Sequence, residues 1–241
     1  MAELIYGKNL IKQRLKDGKP MHMLYLLENQ MDKELVDFAS KKDIPIQYVS
    51  RKKLDSLSGV EKHQGVVAEI DAYRYYSVDE ILSGIAMDKI PLIVLLDGLE
   101  DPHNLGAILR TCDAIGVDGV IVGKHRSVGL NATVAKVSTG AIETVRVAEV
   151  TNLNQTIRTL KEKGFWICGS AMENAIDYRK ANFTVPLVLV IGSEGFGISQ
   201  LVKKNCDFLV KLPMQGSITS LNASVATAVL LYEVNNQRFP V

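Results

Sequence analysis

The chain has 241 residues, a formal net charge of +1 and 47% hydrophobic residues. That length allows two small domains or one large domain, and the apolar content is sufficient for a packed core. The longest apolar runs, at 90–96 and 185–191, are far shorter than the ~18 residues expected of a membrane span. Because the N-terminus also lacks the apolar stretch of a secretory signal, we expect a cytoplasmic protein without a membrane partner.

Cysteines and histidines are few and widely separated along the chain. The three cysteines and four histidines include no pair at the spacing of a metal-binding motif. We therefore expect buried free thiols and no metal. The sequence pI of about 7.7 lies below the values above ~9 that mark many nucleic-acid-binding domains, so composition alone does not indicate RNA.

Residues 1–75 alternate between helical and strand patterns. The apolar spacing predicts helices over 9–16 and 32–42, and strands over 23–27, 46–49 and 66–70. These elements indicate a small α/β domain. Polar and aromatic residues then interrupt the pattern at 76–89, which we interpret as a linker.

Residues 90–241 continue with a longer alternation of strands and helices. The predicted strands are 92–96, 119–122, 145–147, 166–169, 185–191 and 208–210. The predicted helices are 104–115, 132–137, 153–163, 200–204 and 221–234. Short apolar strands separated by helices are typical of a parallel sheet covered on both faces.

The helix predicted over 104–115 carries two polar residues of interest. Asn104 lies where this helix should begin, and helix capping alone would account for it. Arg110 projects roughly opposite the apolar stripe of the helix. It is either solvated or directed into a cleft, where its planar guanidinium would hold a phosphate or a carboxylate at two points.

A glycine-rich loop follows the strand predicted over 185–191. Its sequence, GSEGFG, differs from the G-x-G-x-x-G order of dinucleotide-binding loops, and Glu194 would put a carboxylate beside a pyrophosphate. Dinucleotide binding is therefore disfavoured. Gly192 would let backbone groups approach an adenine or a ribose, although a plain tight turn fits equally well.

Residues 212–224 carry polar groups directly before the last predicted helix. Ser220 and Asn222 would either cap that helix or hold a ribose or a cofactor beside the adjacent turn. One face of the helix combines small residues with leucines, and it would pack within its own domain or against a second copy of the chain. This face comprises Ala223, Ala226, Thr227, Leu230 and Leu231.

Two basic clusters lie in the N-terminal part of the chain. Lys8, Lys12 and Lys16 are spaced by four, so a helix would align them on one face, and a second cluster occupies 51–53. Each cluster is either a solvated surface or a contact for phosphates. The candidate RNA contacts are Lys8, Lys12, Arg51 and Lys52.

Three segments of the C-terminal part carry small and polar residues where strands give way to loops or helices. They are DPHNLGAILRTCDAIG, LVIGSEGFGIS and LPMQGSITSLNASVATAVLLYE. Their order and spacing resemble the three motifs of the SpoU (TrmH) family of RNA ribose 2'-O-methyltransferases. Near the N-terminus, GKNLIKQRL and EKHQGVVAEI are similar to the substrate-binding domain of that family. Within the family, the chain is most similar to bacterial enzymes that methylate a guanosine ribose in 23S ribosomal RNA.

The resemblance implies a SPOUT-type fold, in which residues 90–241 form an α/β methyltransferase domain with a deep trefoil knot. Residues 1–75 would form a ribosomal-protein-like α/β domain that binds the RNA substrate. The resemblance also implies an obligate homodimer and S-adenosylmethionine held in the knot, mainly by backbone groups. The implied cofactor contacts are Gly192, Leu212 and Leu221, with Ile191 and Met214 as neighbours. The implied catalytic residues are Asn104, Arg110, Glu194, Ser220 and Asn222.

The implied reaction transfers a methyl group to a ribose 2'-hydroxyl, which is hardly ionised at neutral pH. Because a guanidinium with a pKa above ~12 is a poor proton acceptor, we expect Arg110 to fix an RNA phosphate and stabilise the developing alkoxide. Asn104 and Glu194 would orient Arg110. Ser220 and Asn222 would shape the ribose pocket or support the turn before the last helix.

Three alternative functions remain at this point. The chain could methylate tRNA instead of ribosomal RNA, or it could be a non-catalytic RNA-binding factor in ribosome assembly. The presence of all five catalytic residue types of the family favours an active enzyme. A nucleotide-dependent oxidoreductase is disfavoured by Glu194 and by the absence of a G-x-G-x-x-G turn.

Overall fold

The computed structural model describes residues 2–30 and 32–240, and they form two compact units. The first unit ends at Arg74 and also includes Leu130–Ile142; the second comprises Tyr75–Gly129 and the chain from Glu143 onward. The domain prediction from the sequence puts 130–142 in the second domain. Contacts of the helix Ala132–Ser138 with the strand Ala2–Tyr6 instead group this helix with the first unit.

The described residues contain eleven β-strands and nine α-helices. The strands are β1 (Ala2–Tyr6), β2 (Met23–Leu27), β3 (Ile46–Val49), β4 (Val66–Asp71), β5 (Leu92–Asp97), β6 (Gly119–Gly123), β7 (Val147–Val150), β8 (Trp166–Ser170), β9 (Ile176–Asp177), β10 (Leu187–Gly192) and β11 (Phe208–Lys211). The helices are α1 (Lys8–Lys16), α2 (Lys33–Ser40), α3 (Arg51–Ser58), α4 (Val78–Ser83), α5 (Pro102–Ile115), α6 (Ala132–Ser138), α7 (Leu153–Glu162), α8 (Gln200–Asn205) and α9 (Ala223–Arg238).

The first unit is a four-stranded sheet, in the order β1-β4-β2-β3, with helices packed against it. Strands β1 and β2 run antiparallel to β4, whereas β3 runs parallel to β2. The sequence pattern predicted β2 and β3 with their observed bounds, but it missed β1 and α3. The apolar pattern does not predict α3, because this helix is mostly polar and buries only Leu54. Ser50 caps its first turn.

The second unit is a seven-stranded sheet in the order β7-β6-β5-β10-β8-β11-β9, and every neighbouring pair is parallel. The prediction of an α/β domain with a parallel sheet is confirmed. The central strands are continuous apolar runs because both of their faces are buried; Ile93, Leu95, Val188 and Val190 are fully buried in one core. The knot stays a prediction.

The predicted linker over 76–89 is wrong, because this segment is built into the second unit. Tyr76 donates its backbone N–H to the carbonyl of Val147 at 2.8 Å. Helix α4 begins with a capping box of Ser77 and Glu80, and it inserts the fully buried Ile81 into the core. The segment was misread because α4 has only six residues, too few for a clear helical period.

The face of α9 that was considered for dimerisation is packed within its own unit. Thr227, Leu230 and Leu231 are fully buried, and α9 packs against α5. The alternative of packing within the domain is therefore correct for this face. The exposed apolar side chains of α9 are instead Val225 and Tyr232.

The expectation of buried free thiols is confirmed for Cys112 and Cys168, whereas Cys206 is a free thiol that is only partly buried. Burial raises the pKa of the Cys112 and Cys168 thiols, and it raises the pKa of Cys206 to about 11, so none is a thiolate at neutral pH. Residues 2–30 and 32–240 contain no helix long and apolar enough to span a membrane. The same residues contain no group of three His, Cys, Asp or Glu side chains that could hold a metal ion.

Candidate active site

The candidate site lies where β5 and β10 end side by side in the sheet of the second unit. The parallel register of these neighbours pairs Asp97 with Gly192, the last residue of each strand. The loops that follow both strands therefore leave the sheet at the same edge. Asp97 Oδ2 accepts a hydrogen bond from the backbone N–H of Ser199 at 2.7 Å, which ties the second loop to the first strand.

Helix α5 brings Asn104 into this edge. Asp101, not Asn104, caps the helix, and its carboxylate accepts the backbone N–H of His103 at 2.8 Å. The capping interpretation of Asn104 is therefore wrong: Asn104 is the third residue of the helix and only 5% exposed. Its Nδ2 donates to Asp101 Oδ2 at 3.2 Å, so the cap also orients the buried amide.

The loop after β10 folds back on itself and presents Glu194. Ser193 and Gly197 exchange backbone hydrogen bonds of 3.1 and 2.9 Å, which closes a tight turn. Gly197 has a φ of +63°, a left-handed conformation that favours glycine. Gly192 has no space for a side chain, because a Cβ there would overlap the backbone of Gly197 and Ile198.

Asn104, Glu194 and Asn222 form a hydrogen-bonded triangle. Asn104 Nδ2 donates to Glu194 Oε1. Asn222 Nδ2 donates to the same Glu194 oxygen at 3.1 Å and to Asn104 Oδ1 at 3.0 Å. Asn222 also caps α9, because its Oδ1 accepts the backbone N–H of Ser224 at 2.9 Å. Three of the five predicted catalytic residues therefore meet in one cluster, which we call the polar triangle.

Arg110 and Ser220 lie outside the polar triangle. Arg110 is six residues beyond Asn104, which puts it about 9 Å further along the helix axis and on a different face. Its side chain is exposed and makes no hydrogen bond or ion pair with any residue that the structure describes. Within one chain, Asn104 and Glu194 make no hydrogen bond or ion pair with Arg110. The prediction that they orient Arg110 is therefore wrong for the single chain. Ser220 is exposed on the segment before α9.

A cavity of about 480 Å³ opens beside the polar triangle. It is bounded by the ends of β8 and β10, the loop after β10 and the segment before α9. All five residues predicted to contact a cofactor line it, namely Ile191, Gly192, Leu212, Met214 and Leu221. Glu194 and Ser220 line the same cavity, which brings predicted catalytic and cofactor positions together.

The sequence analysis did not single out Asp97, Asp101 or Phe196 as site residues. Asp97 and Asp101 were detectable as carboxylates at a strand end and directly before a helix, where they satisfy free backbone N–H groups. Phe196 lies two residues beyond Glu194, and its side chain is 96% exposed. Nothing in the sequence pattern distinguished this phenylalanine from one in the core.

The basic clusters of the first unit differ in their surroundings. Lys8 forms an ion pair with Asp32 at 3.2 Å, and Lys12 contacts both Asp32 and Glu34. The hydrogen bond to Glu34 raises the pKa of Lys12. Residues 51–53, in contrast, are exposed and make no side-chain ion pair with another described residue. The charge of the first cluster is largely neutralised, whereas that of the second is available.

Two family models together match most of the chain. Residues 91–232 match the SpoU rRNA Methylase family, and residues 4–76 match the model described as RNA 2'-O ribose methyltransferase substrate binding. The chain belongs to the SpoU methylase family. It is accordingly an RNA methyltransferase, and the resemblance found in its motifs is confirmed.

Relatives and solved structures of this family resemble the chain over most or all of its length. YacO of Bacillus subtilis, assigned to the TrmH family of tRNA/rRNA methyltransferases, is 47% identical over 243 residues, covering 99% of this chain and 97% of YacO. The SpoU methyltransferase AviRb of Streptomyces viridochromogenes, solved in complex with AdoMet, is 25% identical with a TM-score of 0.83, covering 100% of this chain and 92% of AviRb. The A. aeolicus TrmH/SpoU tRNA modifying enzyme is 33% identical with a TM-score of 0.57, covering 62% of this chain and 76% of that enzyme.

We predict that Gly192→Ala lowers the free energy of unfolding by about 2 kcal/mol, because the added Cβ meets backbone atoms that cannot move without opening the turn. Gly195→Ala is the matched control, since a Cβ at Gly195 meets nothing within 4 Å. We expect the control to stay within ~0.5 kcal/mol of the wild type. Urea denaturation followed by circular dichroism measures both. Equal stability of the two variants would contradict the close packing of the turn on Gly192.

Proposed function

We propose that the protein transfers a methyl group from S-adenosylmethionine to a ribose 2'-hydroxyl of RNA, and that its target is a guanosine of 23S ribosomal RNA. The observation that carries this proposal is the polar triangle at the rim of a cavity lined by all five predicted cofactor contacts. The match of residues 4–76 to a substrate-binding model for ribose methyltransferases supports the RNA ribose as acceptor. We further propose that the protein acts in the cytoplasm.

The cavity fits S-adenosylmethionine in size and in chemistry. Its volume of about 480 Å³ lies in the range of ~300–1,000 Å³ that is typical of small-molecule sites. Ile191, Leu212 and Leu221 provide apolar walls for the adenine, while Glu173 and Glu194 provide carboxylates for the cationic part of the ligand. Gly192 also lines the cavity, although the space beside its Cα is filled by the backbone of the turn. When bound, this cofactor supplies an electrophilic methyl group on a sulfonium.

Glu194 is the group best suited to accept the proton of the ribose hydroxyl. Both amide donors of the polar triangle bind the same oxygen, Glu194 Oε1. The other carboxylate oxygen, Oε2, has no hydrogen-bond donor among the described residues, and Glu194 lines the cavity. A carboxylate held by two amides at one oxygen can orient a hydroxyl with the other and ease the loss of its proton. Asn104 and Asn222 then act as positioning residues.

Arg110 is suited to a phosphate of the RNA, because its guanidinium is exposed and unpaired within the described chain. We propose that it fixes a phosphate of the RNA near the reacting ribose, because its position outside the polar triangle does not bring it to the hydroxyl oxygen that Glu194 would orient. A homodimer, which the family resemblance implies, remains part of this proposal. The exposed side chains of Val225 and Tyr232 on α9 offer apolar surface for such a contact.

The main alternative target is tRNA. YacO is assigned to the TrmH family of tRNA/rRNA methyltransferases, and one solved relative is a tRNA modifying enzyme. A non-catalytic assembly factor is less consistent with the polar triangle, since such a protein would not require a carboxylate held between two amides. Nicotinamide-dependent redox chemistry is disfavoured by the same carboxylate, which would repel a pyrophosphate.

We predict that the purified protein transfers labelled methyl groups from S-adenosylmethionine to deproteinised 23S ribosomal RNA from a strain that lacks the gene, with 2'-O-methylguanosine as the product. Glu194→Gln preserves the shape of the side chain but removes the charged acceptor. We expect this variant to lower the rate by a factor of about 10² or more. Mass spectrometry of RNA digests measures the product. Labelling of tRNA alone would identify the alternative target, and cofactor binding without transfer to either RNA would indicate an assembly factor.

We predict that Arg110→Ala leaves the affinity for S-adenosylmethionine nearly unchanged while methyl transfer falls by a factor of about 10² or more. Arg110→Lys should restore little activity, because a point-like ammonium cannot make the planar two-point contact. Arg158→Ala removes another exposed arginine of the same unit and serves as the control. Single-turnover rates at saturating cofactor and RNA separate these variants. Wild-type transfer by Arg110→Ala would show that Arg110 is simply solvated.

We predict that Arg51→Ala/Lys52→Ala weakens RNA binding about tenfold and reduces its salt dependence, because these exposed cations are free to contact phosphates. Lys12→Ala/Lys16→Ala removes the same charge. The Nζ atoms of these lysines, however, already form ion pairs with the carboxylate of Glu34, at 2.5 Å for Lys12 and 3.8 Å for Lys16. We expect the matched variant to lose less affinity. Filter binding across a salt series measures both. The reverse order of the two losses would assign RNA contact to α1.

A further inference from the structure

We propose that Lys124, His125 and Arg126 bind the RNA backbone beside the reacting ribose. These residues follow β6, and we call them the basic loop. The inference rests on the proposed function and extends it, because it assigns RNA contact to the methyltransferase unit itself and to residues outside the three family motifs. The ligand chemistry is the phosphodiester backbone of a polynucleotide.

The basic loop leaves the sheet at the same edge as the active site. Strand β6 pairs with β5 in parallel, and both strands end at this edge. The backbone N–H of Lys124 donates to the carbonyl of Val150 at 2.9 Å, and the N–H of Val128 donates to the carbonyl of Leu99 at 2.8 Å. Both ends of the loop are therefore fixed, the second of them to the segment that leads into α5.

The loop also approaches the residue that precedes Glu194. A Cβ placed on Gly98 would lie 3.8 Å from the carbonyl oxygen of Arg126 and 3.7 Å from Ser193 Cβ. Gly98 is thus close both to the backbone carbonyl of Arg126 and to the side chain of Ser193. Because Ser193 is adjacent to Glu194, the basic loop is a neighbour of the polar triangle.

The charges of the basic loop are unused within the described chain. All three side chains are exposed, and none forms an ion pair or hydrogen bond with another described residue. Lys124 and His125 line a cavity of about 210 Å³ together with Asp97. The carboxylate of Asp97 already accepts a hydrogen bond from the backbone N–H of Ser199. Arg126 has a φ of 54°, a conformation that is uncommon for residues other than glycine and is often found at ligand contacts.

The proposed reaction requires anions at this place. A ribose within an RNA strand carries a phosphate on each side, so a hydroxyl brought to Glu194 brings at least one phosphate with it. Exposed cations that lie beside the reacting group can neutralise that phosphate and release counterions on binding. Two cations, Lys124 and Arg126, on either side of a histidine suit a continuous backbone better than a small monoanion, which one cation would satisfy.

The test compares two double variants of the full chain that remove equal charge. Lys124→Ala/Arg126→Asn removes two cations of the loop; asparagine is chosen because it tolerates the positive φ at this position. Arg158→Ala/Lys204→Ala removes two exposed cations elsewhere in the same unit. The probe is deproteinised 23S ribosomal RNA, with binding measured across a salt series and with S-adenosylmethionine affinity measured separately.

We expect the loop variant to bind the RNA about tenfold more weakly, and the slope of log affinity against log salt to fall by about 1 to 2. Its affinity for S-adenosylmethionine should match that of the wild type, and the control variant should change little. Wild-type affinity and slope in the loop variant, or an equal loss in the control, would overturn the proposal. Failure of the proposed function is distinguishable, because the wild type would then bind RNA without methylating it.

Discussion

The parallel pairing of β5 with β10 is the constraint on which the active site depends. This pairing aligns Asp97 with Gly192 and so brings together two loops that are distant in the sequence. Asn104 and Glu194 lie 90 residues apart, yet they share a hydrogen bond because their strands are neighbours. A slip of one residue in the register would displace one loop by about 3.3 Å, which is enough to break that bond. The buried apolar side chains of both strands hold the register, since a slip would move each of them out of its place in a close-packed core.

Asn222 connects this pair of loops to the last helix. Its carbonyl oxygen caps α9 while its amide group donates to Asn104 and Glu194, so one side chain satisfies backbone and side-chain groups at once. Helix α9 in turn packs against α5, which carries Asn104. The carboxylate of Glu194 is therefore held by two rigid helices. Fixed polar groups of this kind cost little reorganisation during a reaction, which is why they are effective in active sites.

The distribution of charge matters more for this protein than its sum. A net charge of +1 does not suggest a partner with many phosphates. Within the first unit, however, acidic residues of α2 neutralise the lysines of α1, whereas the cations at 51–53 remain unpaired. In the second unit, the cations Lys124 and Arg126 are exposed at the edge of the sheet that carries the polar triangle. Local surfaces of one sign can attract RNA even when the whole chain is nearly neutral.

The sequence by itself determined the α/β class, most of the strands and the family, and the resemblance to the family implied five of the residues that line the cavity. These features depend on local apolar periods and on short motifs, which are readable without knowledge of the fold. The sequence did not predict strand β1, helix α3 or the incorporation of 76–89 into the second unit. Short or polar elements have only a weak periodicity of apolar residues. Only the tertiary structure decided that Asn104 is held in the polar triangle instead of capping α5, and that Arg110 lies outside it. The physical reason is that hydrogen bonds such as that between Asn104 and Asn222 join residues 118 positions apart, and strand pairing, not local sequence, brings them within reach.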